Sequence, residues 1–196
     1  TPLDSFTMIR KPILLIFLLF SCTRAEMSRD LPFPDGFIWG TSTSAYQIEG
    51  NAKNTDWWAW EEMGKTKERS GLASNSYELY EVDSILAKEL NSNAYRFSIE
   101  WSRIEPERNK WDMNEVEHYR DVIRSLRKRG IEPVVTLHHF TNPLWVLDPR
   151  DPEKSMGGWM NPEVADEFAE YAGFVAEQYG DIVDIWLTIN EPMVTV

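Results

Sequence analysis

An apolar, β-branched run, Ile185-Trp186-Leu187-Thr188-Ile189, stops at Asn190-Glu191-Pro192. The stop sets a carboxylate beside an amide, and Pro192 prevents the run from continuing as a strand. Neighbouring strand residues point to opposite faces, so Asn190 and Glu191 reach one ligand only if the strand is already distorted there. A plain polar strand end is the competing reading. Upstream, His138-His139-Phe140 follows a second apolar run. A lone histidine in such a place is usually a satisfied structural group, whereas two beside an aromatic could meet a polyhydroxyl ligand, one facing a cleft and one packing behind. Arg96 lies between Tyr95 and Phe97, where burial is expected. A buried guanidinium is costly unless a carboxylate pairs with it, and that partner has to come from elsewhere. Gln47, in Tyr46-Gln47-Ile48-Glu49-Gly50, offers a donor and an acceptor together. None of these signals decides a function by itself.

The elements that must position them alternate. Phe37 to Gly40 reads as a first strand, and a helix opens near Asn75, where Glu78 makes a capping-box-like pair and Leu79, Val82, Leu86 and Leu90 share a face. Ala94 to Ile99 is the second strand. A helix from about Asn114 carries Val116, Tyr119, Ile123 and Leu126 and stops at Gly130. Pro133 to Leu137 is the third strand. The next helix is capped by Asn161, has Pro162 in its first turn, presents Val164, Phe168, Tyr171 and Val175, and ends at Gly180. Val183 to Thr188 is the fourth strand. Strands that are apolar throughout, separated by helices, predict a parallel sheet in an α/β fold. A (β/α)8 barrel and a doubly wound sheet both fit, and the lack of a glycine-rich phosphate loop after the first strand favours the barrel. Barrel active sites form at the C-terminal ends of the strands, which is where the polar residues above fall.

Composition narrows the function classes. The formal charge of −12 is spread along the chain, which argues against nucleic acid or anionic lipid as a partner. Cys22 is the sole cysteine, so neither an intrachain disulfide nor a thiolate metal cluster is available. His118, His138 and His139 lack metalloprotease spacing, and neither a metal nor another cofactor is expected. The many aromatic residues, nine Trp among them, suit both a core and a sugar-binding cleft.

The beginning of the chain has another character. Met8-Ile9-Arg10-Lys11 precedes the apolar run Ile13 to Phe20 and then Ser21-Cys22. That run is too short to span a bilayer but is similar to a signal-peptide core, and also to a lipoprotein signal acylated on cysteine. Equally, residues 1–26 could be an untranslated upstream segment, with Met27 as the start. The first reading implies export or a lipid anchor, with membrane contact through that anchor, and the second a cytoplasmic protein. Residues 27–196 read as one domain.

Four stretches, "FIWGTSTSAYQIEG", "NAYRFSIEWSRIEP", "VVTLHHFTNPLW" and "WLTINEP", resemble in order and spacing the N-terminal half of family 1 of the glycoside hydrolases, the β-glucosidase and β-glycosidase family. The resemblance runs from about Leu31 to Val196. It implies a (β/α)8 TIM barrel of which this chain supplies about the first four βα units, and a β-glycoside or oligosaccharide as substrate. It also implies roles: Glu191 as general acid/base, Asn190 on the sugar 2-hydroxyl, Gln47 and His139 on hydroxyls at the far side of the same sugar, and Arg96 as partner of the catalytic nucleophile. Phe140 stands where a tryptophan is common, so an indole hydrogen bond to the sugar is lost.

Such chemistry needs two carboxyl groups, one protonated and one ionised, and partial burial with a nearby negative charge would keep a proton on the acid. The family's nucleophile lies in an "ITENG"-like motif, and none occurs in these 196 residues. A whole barrel usually needs roughly 250 residues. The expectation is therefore the N-terminal part of a longer enzyme, without retaining hydrolase activity alone. A non-catalytic homologue binding sugars or a protein through the barrel mouth is the alternative. Sugar preference and oligomeric state are not set by these residues.

Overall fold

The computed structural model describes residues 32–195. The chain divides into two compact units, Thr1–Asp35, of which 32–35 are described, and Gly36–Val196, which carries every element below. The expected leader lies outside the described residues. Among those described, no helix is long and apolar enough to cross a membrane.

The order is β1 (Gly40–Ser42), α1 (Ala45–Ile48), α2 (Asp56–Glu62), α3 (Ser76–Glu89), β2 (Ala94–Ser98), α4 (Trp101–Ile104), α5 (Met113–Lys128), β3 (Glu132–His138), α6 (Glu163–Tyr179), β4 (Ile185–Ile189) and α7 (Pro192–Thr195). All strand pairings are parallel and the sheet order is β1-β2-β3-β4. A doubly wound sheet reverses its order at a switch point. The unbroken succession found here is that of a barrel wall.

Strand periodicity sorts the side chains. Phe97, Ile99, Val135 and Leu137 enter the main core with Val116, Tyr119, Ile123 and Leu126 of α5 and Val164, Tyr171, Val175 and Tyr179 of α6. Each fully buried aliphatic side chain contributes roughly 1.5–3 kcal/mol. The buried tyrosines are satisfied as well, since the Tyr171 hydroxyl donates to Leu137 O at 3.1 Å and that of Tyr179 to Val116 O at 2.8 Å. On the alternate positions stand Arg96, Ser98 and Thr136, with Ser98 opposite Thr136 in register.

Several boundaries differ from expectation. The first strand is Gly40–Ser42 and not 37–40, because Asn93 takes up the preceding residues: its Oδ1 accepts from Trp39 N, and its Nδ2 donates to Phe37 O. Regular pairing begins at Gly40, where a Cβ would lie 2.7 Å from Ala94 O. The capping box at Asn75 does not form. Asn75 is left-handed (φ 54°) with no side-chain cap, and Ser76 instead bonds Asp83. The apolar stripe of α3 is also not core: Leu79, Val82, Leu86 and Leu90 are exposed, while the small residues Ser84 and Ala87 are buried and Ser84 meets Ser125 of α5 at 2.7 Å.

At α6 the expected cap is present, with Asn161 Oδ1 accepting from Glu163 N at 3.0 Å. The fourth strand is shifted to 185–189, because Ile182 and Val183 are held in a turn by Tyr179 O.

Candidate active site

The ends of β2, β3 and β4 converge. Arg96 Nη2 donates to Asn190 Oδ1 at 2.7 Å and its Nε to Thr136 Oγ1 at 2.9 Å, so one guanidinium spans three neighbouring strands. Asn190 is buried, and its backbone N–H donates to His138 O at 2.9 Å. The strand then breaks. Glu191 adopts a left-handed conformation (φ 45°), and Pro192 opens α7. Such a distortion is what Asn190 and Glu191 would need in order to reach one ligand. Glu191 is exposed, and the partial burial expected of an acid is not supplied by the described residues. Nor do they bring a carboxylate within ion-pair distance of Arg96, which has an amide and a hydroxyl as its partners.

The two histidines behave differently. His138 is 1% exposed and packs edge-on against Trp101, Trp159 and Phe168. Its Nε2 meets Asn142 Oδ1 at 3.1 Å, and burial pushes its pKa down to about 4. His139 is only half-buried. Burial first, and then the Arg96 cation, lower its pKa, while Glu191 acts in the opposite sense, so the imidazole stays neutral near pH 7. Its Nδ1 is buried without a hydrogen-bond partner among the described residues.

Phe140 follows in a left-handed conformation (φ 71°), and Thr141 N donates back to His139 O at 3.0 Å. Together these make a γ-turn of the strained kind. The Phe140 ring stacks on Trp57 with centroids 5.8 Å apart and planes 6° from parallel. An open groove beside them is lined by Leu147, Trp159 and Val194 as well.

Gln47 stands apart. It is exposed on α1, and its Oε1 accepts from Ser44 Oγ at 2.7 Å instead of touching any of the other four. It shares a surface recess with Tyr46 and Trp57.

Four supporting residues escaped the sequence reading. Asp56, 5% exposed, accepts from Asn142 N at 3.0 Å, Asn142 Nδ2 at 2.8 Å and Trp57 N at 2.8 Å, and burial raises its pKa to about 7. Glu100 accepts from Thr141 Oγ1 at 2.8 Å, and burial raises its pKa too. Glu49 pairs with Arg103 at 2.9 Å and accepts from the Tyr119 hydroxyl; burial, against the pull of Arg103, takes its pKa to about 7. The Arg103 guanidinium lies over the Tyr77 ring at 4.3 Å. Glu49 and Arg103 sit inside "YQIEG" and "WSRI", yet no spacing rule announces that two segments 54 positions apart will meet.

Comparison with known proteins identifies the family. The family model for glycosyl hydrolase family 1 matches residues 29–196. The chain is 38% identical to a β-galactosidase of Pyrococcus woesei, over 84% of its own length and 42% of that protein's. It is 39% identical to a coniferin β-glucosidase of Pinus contorta, over 92% of itself and 36% of the relative. A solved β-glycosidase from Pyrococcus horikoshii superposes with a TM-score of 0.74 at 47% identity, covering 83% of this chain and 37% of that structure. The fold is that of the N-terminal part of a (β/α)8 barrel glycosidase. The chain belongs to glycoside hydrolase family 1, and it spans about two fifths of the length of these relatives.

Proposed function

We propose that the protein to which residues 27–196 contribute the N-terminal part of a barrel is a retaining β-glycosidase acting on β-glucosides or related sugars. The observation that carries this reading is the 2.7 Å bond from Arg96 to Asn190, with Glu191 the next residue. It puts a guanidinium that lacks a carboxylate partner among the described residues beside the amide and acid of the β4 end. In the proposed reaction Glu191, protonated, donates to the leaving glycosidic oxygen. A second carboxylate about 5–5.5 Å away attacks the anomeric carbon, giving a glycosyl-enzyme that water, deprotonated by Glu191, hydrolyses.

Arg96 is assigned to that second carboxylate, which residues beyond 196 would supply. Asn190 is assigned to the 2-hydroxyl, a contact that strengthens as the oxocarbenium-like state forms and so accelerates the step. His139, neutral and with Nδ1 unpaired, together with Gln47, is assigned to hydroxyls at the far side of the sugar. No part of this scheme calls on a metal or cofactor. Residues 1–196 alone, lacking the nucleophile, would not turn over.

The test is hydrolysis of aryl β-glucosides by the full-length protein and its Glu191→Gln variant. A loss of roughly 10²–10⁴-fold for poor leaving groups, shrinking for good ones that need no proton, is expected. Unchanged activity in the variant would defeat the assignment, and an inactive wild type would favour a binding protein.

A further inference from the structure

The β3–α6 connection begins with a turn that its own sequence does not favour. Phe140 is a bulky residue at φ 71°, closed by a two-residue hydrogen bond from Thr141 N to His139 O. Such a conformation persists only where surroundings over-determine it. Glu100 holds Thr141, and a second support comes from another segment, from one residue 86 positions before Asn142.

Asp56 Oδ1 accepts the backbone N–H of Asn142, and Asp56 Oδ2 accepts its side-chain amide. The Asp56 backbone N–H donates back to Asn142 O at 3.0 Å, so every polar atom of Asp56 that faces the loop is engaged by Asn142. Asn142 passes the constraint on by accepting from His138 Nε2, and Trp57, next to Asp56, stacks on Phe140. His139 thus has a fixed residue on either side, His138 held through Asn142 and Phe140 held through Trp57. Among the described residues its own ring makes no hydrogen bond through Nδ1 that would set its direction.

We infer that Asp56 is a positioning residue, which aims the imidazole of His139 by clamping Asn142 and thereby the strained turn at Phe140. The inference rests on the sugar-binding role proposed for His139. Three backbone or amide N–H groups point at one carboxyl group, an arrangement that suits the ionised, acceptor-only form of an aspartate. An asparagine at 56 would turn an N–H towards the Asn142 amide. Exchanging the pair, Asp56→Asn with Asn142→Asp, restores one donor facing one acceptor and keeps an oxygen for His138.

The imidazole resonances of His118, His138 and His139 can be assigned by substituting each in turn. In the full-length protein D56N should shift the His139 ring signals and leave those of His118 in place, and D56N/N142D should return them. In the full-length protein, D56N should raise KM for an aryl β-glucoside roughly tenfold, as for loss of about one charge-assisted hydrogen bond, with kcat within about threefold, and the exchange should recover KM. The inference fails if His139 does not shift in D56N, or if the exchanged pair remains as displaced as D56N. If D56N does not fold, the exchanged pair decides by matching the wild type or not. An inactive wild type would instead remove the functional reading, with the resonances still deciding the clamp.

Discussion

The turns that follow β3 and β4 each place one non-glycine residue in the left-handed region, Phe140 and Glu191, and they are held in different ways. Around Phe140 the constraints are many and buried: the Asp56–Asn142 clamp, the Thr141–Glu100 bond, the His138–Asn142 bond and the Trp57 stack. Glu191 is exposed, and its side chain makes no hydrogen bond among the described residues. Among the described residues its turn is anchored through Asn190, by Arg96 and His138 O, and by Val194 N donating to Glu191 O. The same backbone strain therefore has two meanings. Where neighbours crowd a turn, they restrict the residues on either side of His139, the side chain proposed to bind the sugar. Where they leave it open, a carboxylate is presented at the surface of these elements. A proton donor needs that access, and the remaining surroundings of an acid have to come from elsewhere.

The contrast can be broken by experiment. The largest effect is the 10²–10⁴-fold loss of hydrolysis expected of Glu191→Gln in the full-length protein, which concerns chemistry at the open turn alone; the variant's denaturation midpoint should hardly move. Next is Thr141→Val in the crowded turn, which leaves the buried Glu100 Oε2 without its partner. A loss of about 1–3 kcal/mol in denaturant unfolding is expected, and a neutral result would show that the clamping bonds do not hold that turn.

A pH dependence follows from His138. Its pKa falls from 6.5 to about 4 on folding, so the folded state binds the proton less readily than the unfolded chain. The stability it contributes is present above pH 6.5 and is lost as pH falls towards 4. Asp56 and Glu49, both raised to about 7, act in the opposite direction between pH 4 and 7 and are common to both proteins compared. On going from pH 7 to pH 5 the stability of the wild type should therefore fall relative to that of His138→Gln, whatever the shared carboxyls do to both, and equal slopes in the unfolding midpoints would contradict this.

The smallest effect is the most diagnostic. Glycine relieves left-handed strain, so Glu191→Gly should stabilise the chain by less than about 1 kcal/mol, part of the gain being offset by backbone entropy. Phe140→Gly relieves the same strain yet should destabilise by about 1–2 kcal/mol, because the stack on Trp57 is lost. Two changes of the same sign would mean that the turns are not held differently.

Much of this was legible locally. The helical period of Val116, Tyr119, Ile123 and Leu126 located α5 and its buried face, and Asn161 announced the start of α6, because capping and periodicity act within a few residues. The stop at Asn190-Glu191-Pro192 gave the break in β4 for the same reason. The α3 stripe misled, since periodicity reports that a face is apolar and not what covers it. Phe37 to Gly40 misled because an asparagine 56 positions later fixes those residues.

By itself, the sequence determined the succession of the four strands and the three long helices, the parallel sheet, and the residue types gathered at the strand ends: a glutamate after an asparagine, paired histidines and an arginine. It did not announce the short helices α1, α2, α4 and α7, and the tryptophan-bearing stretch at 57–60, which reads as a loop, is part of α2. Tertiary structure alone decided which of the two histidines is buried, that Arg96 reaches Asn190 across Thr136, and that Asp56 and Glu100 brace the turn at Phe140 from either side. The physical reason is range. Propensity and alternation act over a few residues, whereas desolvation and hydrogen-bond pairing depend on segments that only the folded chain brings together.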